Sequence, residues 1–131
     1  MAENILEKII KKKSEKIISL KKTINPESLN ELINNNNTYL DFKNKVENNL
    51  KNGKFSIIAE IKKASPSAGV IIKNYDPVEI ANIYNLNKAT CLSVLTEEDY
   101  FLGNLIHISK IKQKVNLPIL CKDFFIDKFQ I

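Results

Sequence analysis

Apolar residues follow two rhythms along the chain, and the change falls near Phe55. Before it, Ile5, Leu6, Ile9, Ile10, Ile17, Leu20 and Ile24 share one broad helical face, predicting a helix over 3–24. Lys13 intrudes on that stripe and Ile18 falls outside it. Pro26 stops this helix and opens a short second one across PESLNELI, with Asn25 as its N-cap. The NNNN run at 34–37 predicts a linker, and Thr38 is placed to cap a third helix over 39–51, which Asn52-Gly53 ends.

After Phe55 short apolar runs alternate with helical stretches. FSIIAEI reads as a strand and SPSAGVIIKNY as a loop. Asp76-Pro77 opens a helix through Leu86, an N-cap followed by proline at the first helical position. ATCLSVLT is a second strand, EEDYFLG a loop, 104–114 a helix, LPILCKDF a third strand, and Asp127 begins a new element. Strands this apolar, alternating with helices, predict an α/β fold with parallel pairing under a helical cover. The expected domains are a helical extension over 1–53 and three βα units over 54–131. Three parallel strands cannot close a barrel, and an open edge leaves backbone groups unpaired. The expectation is therefore the front part of a larger α/β protein.

Composition narrows the function. The chain has 131 residues, 44% hydrophobic and 27% charged, within the range of globular domains. No apolar run reaches the 18 residues of a membrane span, and charges interrupt the N-terminal apolar residues, unlike a signal peptide. Cys91 and Cys121 lie in apolar runs without metal-ligand spacing, which predicts free thiols in a reducing cytoplasm and no metal. Of the net charge of +5, residues 1–24 carry +4, from seven Lys against Glu3, Glu7 and Glu15. All 20 basic residues are lysine. Without arginine the chain lacks the bidentate group that nucleic-acid readers use, so the Lys-rich helix is read as a solvated face.

The candidate chemistry lies at strand ends. Alternation puts Ser56, Ile58, Glu60 and Lys62 on one face of the first strand and Ile57, Ala59 and Ile61 on the other. In the third strand Leu120 and Lys122 share a face. An acid and two ammonium groups thus gather at the C-terminal rim, where parallel α/β folds hold their ligands. Taken singly, each is also compatible with an ordinary exposed ion pair. Lys63 points the other way and reads as a solvated or helix-contacting residue. His107 is expected far from that rim, as a surface or helix-packing residue with no ligand role.

IIAEIKKASPSAGVI at 57–71, LSVLTEEDYFLG at 92–103 and LPILCKDFFIDKFQI at 117–131 resemble indole-3-glycerol phosphate synthase. The resemblance covers nearly the whole chain in order. Its Glu-x-Lys-x-x-Ser-Pro-Ser and Lys-Asp-Phe strings, about sixty residues apart, make a specific pair. It implies a (β/α)₈ TIM barrel, here its first three strands with a helical extension, and a cofactor-independent lyase of tryptophan biosynthesis. The small phosphorylated substrate would be 1-(2-carboxyphenylamino)-1-deoxyribulose 5-phosphate. Matched onto this chain, the catalytic residues are the general acid Lys122 and the first-strand Glu60, with Lys62 binding substrate. Ser65 and Ser67 would hold substrate oxygens, or simply shape their turn. Phe101 and Phe124 would wall an aromatic pocket, or pack the core. The family's general base and phosphate site fall beyond Ile131, so the 131 residues alone are expected not to turn over. A second enzyme of the pathway, fused or associated, is compatible with the resemblance. The rival reading is a non-catalytic barrel remnant whose strand edge pairs with another chain.

Overall fold

The computed structural model describes residues 4–35 and 38–131, and the chain divides into two compact units. One comprises Met1–Tyr39 and Phe124–Ile131, the other Leu40–Asp123. Among the described residues no helix is long and apolar enough to cross a membrane.

In the first unit, helix α1 spans Ile5–Thr23 and α2 spans Pro26–Asn35. Asn4 and Glu7 form a reciprocal capping box at the start of α1, each side chain accepting from the other's backbone N–H. Glu3, placed in this helix by the pattern, lies outside the described residues. Only Ile9 and Ile17 of the expected stripe are buried, while Ile5, Leu6 and Leu20 are exposed. Asn25 caps α2 as read, its side chain accepting from Glu27 N at 3.0 Å. The helix runs on through Asn34 and Asn35, the first half of the expected linker. Asn36 and Asn37 lie outside the described residues. A 3₁₀ turn at Lys128–Gln130 meets α1: Lys21 pairs with Asp127 at 2.6 Å, and its ammonium lies 5.8 Å from the Phe129 ring centroid. The Lys21 hydrogen bond, joined by one from Phe129 N–H, holds the Asp127 carboxyl below its usual range.

The second unit carries the sheet. Helix α3, Phe42–Lys51, is capped by Asp41, whose side chain accepts from Asn44 N at 2.8 Å. The cap expected at Thr38 is thus corrected: residues 38–41 precede the helix, and the carboxylate adjacent to it takes the free amide. Asn49 of α3 donates to Ser56 Oγ and Thr90 Oγ1, both at 3.2 Å, tying the helix to the strands that follow. Gly53 ends the turn with φ +65°, as the Asn-Gly pair predicted.

Strand β1 is Ile58–Ile61, followed by a small antiparallel hairpin of β2, Ala64–Ser65, and β3, Gly69–Val70. Helix α4, Pro77–Leu86, has Asp76 as N-cap and proline at its start, within the predicted bounds. Strand β4 is Cys91–Leu95, helix α5 is Ile106–Lys112, and strand β5 is Ile119–Lys122. The main sheet is parallel, in order β1-β4-β5. The α/β class and parallel pairing therefore stand, with strands shorter than the apolar runs and α5 shorter than 104–114.

Register divides the sheet into two faces. Ala59, Ile61, Leu92, Val94 and Ile119 pack with Ala81 of α4 and Ile111 of α5 in the main apolar core. The opposite face carries Ile58, Glu60, Cys91, Ser93, Leu95, Leu120 and Lys122. One layer of helices thus covers one face, and the charged ends project from the other.

Candidate active site

Glu60 lies near the C-terminal end of β1, and Lys62 follows the strand on the same side. Their heads pair at 2.7 Å, each about one-third exposed. Glu60 is level with Ser93 and Leu120. Ile61 opposes Val94 and Leu95 opposes Lys122, so one further step puts Lys62 level with Leu95 and Lys122. Lys62 and Lys122 therefore stand two strands apart, about 10 Å between backbones, above a floor formed by Leu95. Lys122 is exposed and has no ion-pair partner among the described residues. The arrangement offers one carboxylate-bound ammonium and one unpaired ammonium on a single face.

Thr96 fixes the end of β5 beside Lys122. Its N–H donates to Lys122 O at 3.0 Å, and its hydroxyl donates to Asp123 Oδ2 at 2.8 Å. The stretch expected to be a plain loop after β1 contains the β2–β3 hairpin. Its two-residue strands are too short to show an alternating pattern, and the Lys63 carbonyl extends the pairing by accepting from Ile71 N at 2.8 Å. Ser65 Oγ accepts from Ala68 N at 3.2 Å and lies 3.4 Å from Ser67 Oγ, so both hydroxyls help shape the turn. Phe101 is half-buried in the loop after β4, and Phe124 belongs to the other compact unit.

Sequence reading missed the residue that builds the β4–α5 loop. Glu97 is 2% exposed, and its carboxylate accepts from Asp99 N, Tyr100 N and Phe101 N at 3.0, 2.7 and 3.0 Å. Its carbonyl accepts from Gly103 N at 2.7 Å. The available signal was an acid directly after an apolar strand and two residues before a run of loop amides. Gly103 is required by space: a Cβ there would stand 2.3 Å from Leu95 O and 2.9 Å from Glu97 O. Backbone oxygens cannot swing aside, so Gly103→Ala is expected to cost about 1–3 kcal/mol, read as a lower urea midpoint at unchanged slope.

His107 corrects an expectation. It occupies the second position of α5, and a helix that follows a parallel strand begins near that strand's C-terminal end. Its ring, half-buried, lies 5.6 Å from that of Tyr75. Lys63, by contrast, sits on the helix side as read, lining a cleft with residues of α4 and α5. Cys91 and Cys121 are free thiols on opposite faces of the sheet. Burial pushes the Cys91 thiol up, partly offset by the charge of Lys45. Among the described residues no group of His, Cys, Asp and Glu is placed to hold a metal.

Comparison with known proteins identifies the family of the chain. A sequence profile described as indole-3-glycerol phosphate synthase matches residues 6–131. The indole-3-glycerol phosphate synthase of Prochlorococcus marinus (strain AS9601) is 45% identical over 131 residues, covering 99% of this chain and 43% of that protein. That of Desulforamulus reducens is 45% identical over 127 residues, 97% of this chain and 47% of that protein. The tryptophan biosynthesis protein TrpCF of Buchnera aphidicola subsp. Schizaphis graminum is 44% identical over 138 residues, 100% of this chain and 28% of that protein. The chain thus spans less than half the length of these relatives. A profile match along nearly its whole length, with the Glu60–Lys62 pair and Lys122 set on one rim, places the chain in the indole-3-glycerol phosphate synthase family.

Proposed function

We propose that the chain carries the first part of the active site for indole-3-glycerol phosphate formation, in a cytoplasmic, cofactor-independent carboxy-lyase. The substrate is 1-(2-carboxyphenylamino)-1-deoxyribulose 5-phosphate. Its aryl carbon attacks the sugar carbonyl carbon, and the carbonyl oxygen takes a proton as the C–C bond forms. Carbon dioxide then leaves, its bonding electrons restoring the aromatic ring. A second protonation lets the hydroxyl depart as water, and loss of the proton on the adjacent ring carbon gives the indole.

Lys122 is the proton donor to the developing alkoxide. An ammonium held against the carbonyl oxygen can give it that proton as negative charge develops there. Lys62 holds an anionic part of the substrate, while Glu60 orients it through the 2.7 Å pair. Ser65 and Ser67, on the adjoining hairpin, hold substrate oxygens, and Phe101 flanks the aryl ring; the family resemblance assigns the same duty to Phe124. The observation that carries the reading is the shared face and level of Lys62 and Lys122, with Glu60 bound to the former.

The test joins residues 1–131 to the remaining part of the Prochlorococcus marinus protein and follows indole fluorescence as substrate is converted. The joined protein is expected to turn over, and the 131 residues alone are not. A folded but inactive joined protein, or full activity from the 131 residues alone, refutes the assignment. The Buchnera relative bears the name TrpCF, which supports a second tryptophan-pathway activity as the fused or associated partner. The open edges of β1 and β5 favour a second reading, a remnant pairing with another chain. Elution of the 131 residues as a stable complex would support that reading.

A further inference from the structure

A cleft of about 560 Å³ opens between α4, α5 and the segments leaving β1 and β4, on the helix side of the sheet. It lies wholly within Leu40–Asp123 and uses none of the residues assigned to ring closure. Lys63 and Lys110 contribute two ammonium groups, and neither has an ion-pair partner among the described residues. The one lining carboxylate, Asp76, is already engaged, accepting from Val78 N at 2.8 Å and Glu79 N at 3.1 Å. Burial first, then the charges of Lys110 and Lys63, hold the His107 imidazole below its ordinary pKa. Burial pushes the Tyr75 phenol up to about 12, so it remains a proton-bearing donor. Tyr75 Oη and His107 Nδ1 are both buried without a hydrogen-bond partner among the described residues, an arrangement folded proteins seldom leave uncompensated. Asn104 uses its side-chain oxygen to accept from Ile106 N at 2.9 Å, which leaves its amide hydrogens to donate.

We infer that this cleft binds the phosphate group of a small phosphomonoester, with Lys63, Lys110 and protonated His107 supplying charge and Asn104 and Tyr75 supplying donors. The volume suits a small metabolite. Two lysines and an ionisable imidazole around one space favour a dianion over a single carboxylate, because each ammonium acts as a point-charge donor to a phosphate oxygen. A bound dianion stabilises the imidazolium and raises the His107 pKa. Binding therefore strengthens as pH falls through the bound-state value, until the ligand's own second proton returns at about pH 6.

The chain has one histidine, so His107 reports on the cleft without interference. Its ring protons are titrated by NMR in chloride, in sulfate, which stays dianionic throughout, and in methyl phosphate, at constant ionic strength. Sulfate and methyl phosphate are each expected to raise the His107 midpoint by about half a pH unit or more. Lys63→Gln and Lys110→Gln should each at least halve that rise. Each keeps most of the side-chain stem, and the amide spectrum shows whether the fold is kept. The inference is overturned if methyl phosphate moves the midpoint no more than chloride does. It is equally overturned if the rise survives undiminished in both folded variants, or if sulfate alone produces it.

Discussion

Lys122→Met is expected to lower kcat of the joined protein by about 10²–10⁴-fold, with KM changed little. Methionine keeps the length and apolar stem of lysine but cannot give a proton to the oxygen that must leave as water. The loss corresponds to about 3–5 kcal/mol of transition-state stabilisation. Lys122→Arg separates the two duties an ammonium can perform. Guanidinium retains the positive charge yet gives up a proton far less readily, so it should restore little activity if proton donation is what the reaction needs. Recovery to within about tenfold of the parent would instead make Lys122 an electrostatic stabiliser. Full activity in the methionine variant would remove Lys122 from the chemistry altogether. Lys62→Met should behave differently, raising KM more than it lowers kcat, because its duty is to hold the substrate.

Glu97→Ala is expected to be the most damaging single change to folding in the β4–α5 loop. Three backbone amides lose one carboxylate acceptor, and the side chain they surround is almost fully buried. Hydrogen bonds to a charged group contribute about 1.5–3 kcal/mol each, and partial access of water to the loop reduces the sum, leaving a loss of about 3 kcal/mol or more. Against the 5–15 kcal/mol typical of a domain, this should lower the urea midpoint by about 1 M or more. Glu97→Gln tests the charge: it keeps one acceptor oxygen but turns an NH₂ group toward an amide that donates. An unchanged midpoint in the alanine variant would show that water replaces the carboxylate fully. Because Phe101 N–H is one of the three donors, the same variant should also loosen the segment proposed to flank the aryl ring.

Local chemistry explains which features were legible. Asp76-Pro77 fixed the start of α4 because the cap and the proline act within three residues. The charged rim was legible because strand alternation is strict, and the register keeps Glu60 and Lys122 on the expected face. Thr38 and Asp41 are both cap residues three positions apart, and one-dimensional spacing cannot rank them. The β2–β3 hairpin is shorter than any detectable period. Glu97 was passed over because its partners are loop amides, which leave no pattern of side chains. His107 was misplaced because its helix was read without asking which end of the sheet it starts from. Its half-buried ring against Tyr75 fits the packing alternative rather than the surface one.

The free outer side of β1 carries a consequence for biosynthesis. Among the described strands β4 is flanked on both sides, whereas β1 has a single neighbour. In a closed eight-stranded barrel of this family, the first strand made is also the seam, and it gains its second neighbour only when the last strand emerges. In this chain that flank, with exposed Phe55, Ile57 and Ile58 beside it, is available to any nearby strand. Aggregation and chaperone capture of this chain should therefore centre on the segment around Phe55.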